Sequence, residues 1–521
     1  MVRFYWRCLV GTILWLIAGL VPVIADVVTL RSADGKISLR GELKSFDGDT
    51  YVLDTEFGTL TFKALGVECQ GSACPDIAQF ATDLVIGAGG STAIRLIPAL
   101  IEGFALTSGL SSIRRETTST RTEVFLTDSK RIPVARMEAR RMSTKTAFAQ
   151  LADDRADFAV SMRDPNAAER LAVQNAEKGN IQADDQSRIL ALDALVILVS
   201  RQNPVKDLSR ADIAQIFSGS ITNWAAFGGP DVPISLFLPA PLADHTSLFQ
   251  AAFLSEAEGE IPLADGRLFL NARDLSDAVA RDPFAIGFAA YSDIRNAHAV
   301  AIRGECGIRQ IADAFSIQSG DYPYSQTIRI YSAPLPLPSV AESFLTYLES
   351  PQAQEVVQRS GFVDLDLRKM PLDRQQARVS NAIVGAGDGV TLGDLENFVR
   401  QLSHADRLSV SFRFEDGSTQ MDGRSRRNIR ILAHRIESGD FDGRELIITG
   451  FSDSQGSASG NKKIALQRAR LVRTALQKAA PRADLGKVKF RVLGMGEISP
   501  IACNDDESGR RVNRRVEIWL N

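Results

Sequence analysis

Gly87-Ala88-Gly89-Gly90-Ser91-Thr92 directly follows the apolar triplet Leu84-Val85-Ile86 and precedes an amphipathic run from Ile94 to Phe104. A strand, a glycine-rich turn and a helix start in that order can hold an anion. Glycines let the backbone approach, free N–H groups at the helix start point at the ligand, and hydroxyls add donors. A plain tight turn would use the same residues. The segment has no Gly-Lys-Ser/Thr and is not Gly-x-Gly-x-x-Gly, so neither a P-loop nor a dinucleotide fingerprint is present. A second set lies near the C-terminus. Gly450-Phe451-Ser452-Asp453-Ser454-Gln455-Gly456 ends a strand-like run, with Asn461 eight and Arg468 fifteen residues beyond Asp453. That spacing sets an acid at a strand end against a base on the following helix. Gly456-Ser457-Ala458-Ser459-Gly460 has Ala where a nucleophile elbow needs Ser, and no catalytic constellation occurs, so the chain is expected not to be an enzyme. His245, His298, His404 and His434 are scattered and no Cys-x-x-Cys occurs; no metal site and no cofactor are expected.

The elements that must position these residues fall into several units, as 521 residues lead one to expect. Composition is globular, with 45% hydrophobic and 24% charged residues. The net charge of −3 argues against a nucleic-acid binder. From Leu408 onward, however, 21 Lys and Arg face 14 Asp and Glu, leaving 39 against 49 upstream, so two parts with different partners are expected. Residues 1–25 follow a secretory plan: Arg3 and Arg7, an apolar run from Leu9 to Leu20, and Val23-Ile24-Ala25 at the cleavage site. In an oxidising compartment Cys69 and Cys74, with four residues between them, are expected to form a local disulfide. Cys306 and Cys503 could also pair, which the sequence leaves open. The predicted fold is multidomain α/β and α+β. A small β module spans 26–78, marked by alternating runs between Asp34-Gly35, Asp47-Gly48 and Phe57-Gly58. An α/β unit spans 79–368, a linker with one helix 369–407, and a separate α/β sandwich 408–521.

The α/β unit resembles the PstS-like phosphate-binding proteins of ABC transporters. The resemblance rests on Ala191-Leu192-Asp193-Ala194-Leu195-Val196-Ile197, Asn203-Pro204-Val205, Ile216-Phe217-Ser218-Gly219-Ser220-Ile221-Thr222-Asn223-Trp224 and Gly228-Gly229-Pro230. Asp282-Pro283-Phe284-Ala285-Ile286-Gly287-Phe288, Tyr322-Pro323 and a closing helix from Ala341 to Arg359 extend it. It implies a two-lobed periplasmic-binding-protein (type II-like) domain that closes on phosphate or a related oxyanion, with an ABC permease or other envelope proteins as further partners. Matched to the family's ligand loops are Ser91 and Thr92, then Ser143 and Thr144, then Ser161 and Arg163, then Thr246. The third loop departs from the pattern: the family's Ser-Gly-Thr is Asp244-His245-Thr246, and no arginine precedes it in Leu238-Pro239-Ala240-Pro241. Arg95, Arg141 or Arg163 could replace that charge. The alternative is an envelope scaffold whose binding fold has lost its small ligand.

The C-terminal unit resembles the OmpA-like peptidoglycan-binding domain. Besides the Ser452-Asp453 loop and Arg468-Ala469, the ending Asn513-Arg514-Arg515-Val516-Glu517-Ile518 carries the match. The resemblance implies that Asp453 takes the ammonium and Arg468 the carboxylate of diaminopimelate, with Ser452 and Asn461 shaping the loop and Arg514 lining the rim. Phe451-Ser452 stands where the family has His-Thr, and Phe451 is expected near the entrance. Export, a periplasmic location and attachment to the cell wall in a Gram-negative envelope follow as expectations, with an outer-membrane association included.

Overall fold

The computed structural model describes residues 27–32, 37–46, 50–63, 67–75, 82–183, 185–240, 244–256, 259–334, 336–385, 389–414, 420–505 and 507–521. Residues 1–25, expected to direct export, and the Asp34-Gly35 and Asp47-Gly48 pairs lie outside them. The chain divides into two compact units at Thr82/Asp83.

In the first unit, strands Val27–Ser32, Ser38–Phe46, Thr50–Thr55, Gly58–Lys63 and Val67–Gln70 form one antiparallel sheet, the first strand pairing with both the second and the fifth. Period-two alternation buries Val28, Leu30, Tyr51 and Leu53 on one face. The Thr55–Gly58 turn places Gly58 at φ 99°, a conformation costly for any residue with a Cβ. Cys69 and Cys74 are disulfide-bonded and pack at the edge of this small core.

The second unit begins with two lobes built on one continuous sheet of 11 strands. Two antiparallel strands, Ser187–Val199 and Ser325–Ser332, run through both lobes, with a register shift between Ile189 and Ala191. Leu190 and Ala191 belong to the first lobe's core, with Ile86, Leu100, Phe104, Phe158 and Phe344. From Leu192 on, the same strand enters the second lobe's core, with Phe217, Trp224, Phe249 and Phe288. Apart from the buried Asp193, the apolar run from Ile189 to Val199 suits a strand covered on both faces. The Phe217–Trp224 segment is explained locally. Ser209 and Asp212 cap the helix Arg210–Phe217 reciprocally, Gly219 turns at φ 77°, and buried Trp224 donates its indole N–H to the Phe284 carbonyl. The closing helix expected from Ala341 to Arg359 is two helices, Ser339–Leu348 and Pro351–Arg359. Pro351 cannot donate a backbone bond to the preceding turn, and Ser350 caps the new start through the Ala353 N–H.

The C-terminal part is a five-stranded sheet in the order Lys369–Pro371, Asp406–Arg413, Arg515–Leu520, Glu445–Phe451, Lys489–Gly496. Helices Gly423–Glu437 and Ala458–Ala479 contribute to the core on one face. A smaller apolar layer around Phe398, Phe451 and Trp519 lies on the other. The segment expected as a linker therefore supplies an edge strand, paired with Arg407 and Leu408, and the helix Leu392–Leu402, whose Phe398 and Leu402 join that layer. Helix Ala458–Ala479 lies so close to the sheet that a Cβ at Gly450 would come within 1.9 Å of the Ala465 carbonyl oxygen.

The second lobe is fastened to this C-terminal domain. Cys306 and Cys503 form a disulfide across 197 residues. Arg407, 2% exposed, makes a two-pronged pair with Asp321 at 2.5 and 3.1 Å. Arg413 donates to the Ser319 and Gly320 carbonyls, and Arg424 to those of Ile317 and Gln318. These four carbonyls end the short helix Ala314–Ser319, where unpaired oxygens and the helix dipole favour cations.

Candidate functional site

The glycine-rich loop opens a helical segment that starts with one turn of π-helix, Thr92–Leu96, and continues as Ile97–Thr107. Its Ser91 hydroxyl does not face an open cleft. It donates to both carboxylate oxygens of Asp293, at 2.9 and 2.7 Å. Asp293 lies in the turn after strand Ala285–Ala290 of the second lobe and is fully buried. Arg95 adds an ion pair to the same carboxylate at 3.0 Å and a bond to the Ser292 carbonyl. Arg273 approaches Asp293 at 3.9 Å, and its buried Nε has no hydrogen-bond partner among the described residues. Burial, then repulsion from Arg95, pushes the Arg273 guanidinium down. An internal carboxylate thus joins the two lobes at the loop predicted to hold an oxyanion.

Beside this pair lies a cavity of about 40 Å³ whose lining includes Gly90, Ser91, Arg141, His245, Asn271 and Asp293. On the scale where a water needs about 10–15 Å³, it admits only a few heavy atoms. Arg141 reaches across to the Leu270 carbonyl at 3.3 Å. Of the three arginines considered as replacements for the third-loop charge, Arg141 lines this cavity and Arg95 stands behind Asp293. Arg163 is held by Glu169 at 2.6 and 2.7 Å instead, in the capping box of helix Ala167–Asn175. The remaining predicted residues do not line the cavity. Thr92 and Thr144 are buried. Ser143 caps helix Thr144–Ala152 through the Thr146 N–H. Ser161 donates to the Arg163 carbonyl at 2.6 Å. Thr246 is buried, with the Ala240 carbonyl 3.5 Å from its hydroxyl. His245 was given no role from the sequence, yet it is 8% exposed, lines the cavity, and its Nε2 has no hydrogen-bond partner among the described residues.

Next to Asp293, Asp193 is buried and accepts from the Ser292 hydroxyl at 2.7 Å and its N–H at 3.0 Å. Burial pushes its carboxyl up to about 6, the Ser292 hydrogen bonds oppose this, and the neighbouring Asp293 charge adds to it.

In the C-terminal domain Asp453 sits at the end of strand Glu445–Phe451, 7% exposed. It accepts the Gln455 N–H at 3.1 Å and pairs with Arg514 at 2.9 Å. Arg514 was expected on the rim. It is 6% exposed and spans Asp453 and Glu507, because the strand after Asn513 begins beneath the loop. Ser452 Oγ, next to Asp453 in the chain, and Asn461 Nδ2, on the following helix, are buried without a hydrogen-bond partner among the described residues. Such orphaned groups carry a penalty until a ligand or water satisfies them. The Arg468 guanidinium lies over the Phe414 ring, 5.6 Å from its centroid. Phe451 was expected near the entrance; it is fully buried, and the Arg515 guanidinium lies 4.2 Å from its ring centroid. Alternation along the strand turns Phe451 inward. Asn513, quoted within the matched ending but assigned no role, holds the loop: its side chain accepts from Ile501 and Ala502 N–H groups and donates to the Ala502 carbonyl.

Residues 107–352 match the PBP superfamily domain, and residues 413–514 match the OmpA family. The phosphate-binding protein PstS of Bacillus subtilis is 28% identical over 184 residues, 34% of this chain and 59% of that protein. The peptidoglycan-binding protein ArfA of Mycobacterium bovis is 36% identical over 74 residues, 14% of this chain and 22% of that protein. This chain therefore spans less than two thirds of either relative. A crystal structure of an ABC-type phosphate transport receptor from Vibrio cholerae covers 54% of this chain and 99% of its own, at 18% identity and a TM-score of 0.41.

Proposed function

We propose, for a chain that joins a PstS-like PBP-superfamily domain to an OmpA-family domain, that it is an exported envelope protein with two binding sites and no catalytic role. The central domain takes phosphate or a related oxyanion, and the C-terminal domain holds the protein on peptidoglycan. The observation that carries the wall reading is the loop around Asp453. An anionic carboxylate, a guanidinium at Arg468 and the orphaned donors of Ser452 and Asn461 suit a ligand with an ammonium and a carboxylate on one carbon, as diaminopimelate has. The periplasmic side of a Gram-negative wall is where such a ligand and the two paired disulfides belong together, and an outer-membrane association is compatible with it.

The oxyanion reading is supported by Arg95 and Arg273 meeting at Asp293 and by Arg141 lining the cavity beside it. An incoming anion competes with that carboxylate for Ser91 and Arg95. The second reading, a scaffold that keeps the fold without a small ligand, is favoured by the same carboxylate, since it already fills the role of an anion between the lobes. The wall site is tested by sedimenting the protein with purified peptidoglycan. Asp453→Ala and Arg468→Ala are each expected to remain in the supernatant while wild type pellets; pelleting of both variants refutes the assignment. A phosphate titration separates the two readings of the cleft. Ser91→Ala with Thr92→Ala is expected to weaken phosphate at least tenfold, whereas a folded wild-type protein that gives no heat leaves the scaffold reading. Coupling to a permease would follow only from the first result.

A further inference from the structure

The helix Leu392–Leu402 carries more apolar surface than its own domain covers. Phe398 and Leu402 are buried in the layer beside Trp519. Leu392 and Val399, seven residues apart and so on one face, stay exposed, Leu392 to 72%. The helix Gln376–Val384 does the same. Its Ala382 is buried, whereas Val379 and Ile383, four residues apart on one face, are exposed, Ile383 to 64%. These two faces wall an open groove of about 670 Å³, and Phe398 and the half-buried Leu395 also line it. An amphipathic helix normally turns one apolar stripe to its core and polar residues to water. Here a second stripe faces outward, and a contiguous exposed patch of this kind marks a surface that another molecule covers.

The charges on the rim indicate which molecule. Two of the lining residues are charged, Glu396 and Arg400. Both are exposed, and neither has a hydrogen bond or an ion pair among the described residues. One acid and one base leave the groove without net charge, so it does not select a strongly acidic or basic partner. Lying four residues apart, they share one flank of the helix. A two-fold axis perpendicular to the helix reverses its direction and keeps each flank on the same side. Centred near Phe398, that operation sets Glu396 of each copy opposite Arg400 of the other. The surface is thus complementary to itself.

We infer that this groove is the interface of a two-fold homodimer, in which a second copy packs its Leu392–Leu402 helix antiparallel against the first. Val379, Ile383, Leu392 and Val399 of each copy leave water, and two ion pairs form on the rim. Four apolar side chains a side fall short of the roughly 20–30 residues a side in a standard interface. The dimer is therefore a weak one, with a Kd expected on the order of micromolar.

The test is sedimentation velocity of the full-length protein over a range of concentrations, with thermal melts of every variant alongside. Wild type is expected to pass from monomer to dimer as its concentration rises. Leu392→Glu places a charge in the apolar wall and is expected to weaken the dimer at least tenfold. If that variant does not melt cooperatively, Ile383→Glu on the other wall is expected to do the same. Glu396→Arg and Arg400→Glu each oppose like charges across the axis and are expected to weaken the dimer several-fold. The double exchange E396R/R400E is expected to restore it, because it forms the same pairs in reverse. A wild type that stays monomeric at every concentration leaves the groove to a different protein and overturns the proposal. So does an unchanged dimer in folded Leu392→Glu or Ile383→Glu, or a double exchange that does not recover the loss seen in the single reversals.

Discussion

Replacing Asp293 with asparagine keeps the shape of the side chain and removes its charge. In the wild type that carboxylate receives the Ser91 hydroxyl at 2.9 and 2.7 Å and the Arg95 guanidinium at 3.0 Å, in a fully buried position. Hydrogen bonds to a charged group are worth about 1.5–3 kcal/mol each. Asparagine retains one acceptor oxygen but no charge, so roughly one such interaction is released to an incoming oxyanion. At about 1.4 kcal/mol per factor of ten, phosphate affinity is expected to rise on the order of 10- to 100-fold. The assay is a calorimetric titration of full-length wild type and D293N with phosphate, with thermal melts alongside. Without phosphate the variant is expected to melt lower, because Arg95 and Arg273 lose their counter-charge, and phosphate is expected to restore much of the difference. An unchanged or weaker affinity in a folded D293N protein refutes the idea that Asp293 competes with the ligand. It would instead make the carboxylate part of the ligand's own contacts or a purely structural clasp.

Removing the Cys306–Cys503 bond as C306S/C503S opens a 197-residue loop, for which chain entropy sets a ceiling of about 5 kcal/mol. Calorimetry is expected to show a lower melting temperature and a separate C-terminal transition; a wild-type trace would show that the arginine contacts suffice. Gly450→Ala forces a Cβ onto the Ala465 carbonyl at 1.9 Å, and backbone cannot yield as a side chain can. A loss of about 3 kcal/mol is expected in urea unfolding, and a loss below about 1 kcal/mol would contradict the close helix–sheet contact. Burial alone would raise the Glu517 carboxyl, but Arg378, Arg407 and Arg515 outweigh it and hold it at about 2, below the usual 4.5. Its contribution, on the order of 3 kcal/mol, is therefore complete above pH 4.5 and lost as pH falls from 4.5 towards 2. The stability gap between wild type and Glu517→Gln is expected to close over that window, and a gap that widens would reverse the sign.

Local patterns carried much of the architecture. The helices Arg210–Phe217, Gly423–Glu437 and Leu392–Leu402 have the bounds that their caps and apolar spacing set in the chain, since capping and periodicity are written in neighbouring residues. The Asp453 loop was legible for the same reason: its acid, its hydroxyl and the helix carrying Asn461 and Arg468 follow one another in sequence. So was the local Cys69–Cys74 pair. Pairings over long separations were not legible. Asp293 is 202 residues from Ser91, and nothing near either residue announces the other. The approach of Arg427 to Arg329 likewise needs two domains in place. The sequence by itself determined the kinds of domain present and which residue types could bind. Only the tertiary structure decided that Arg141 lines the cavity beside Ser91, that an internal carboxylate meets Ser91, and that the second lobe is joined to the C-terminal domain. The physical reason is that secondary structure depends on contacts a few residues apart, whereas charge balance in a buried site depends on every group brought within a few ångströms, whatever its distance along the chain.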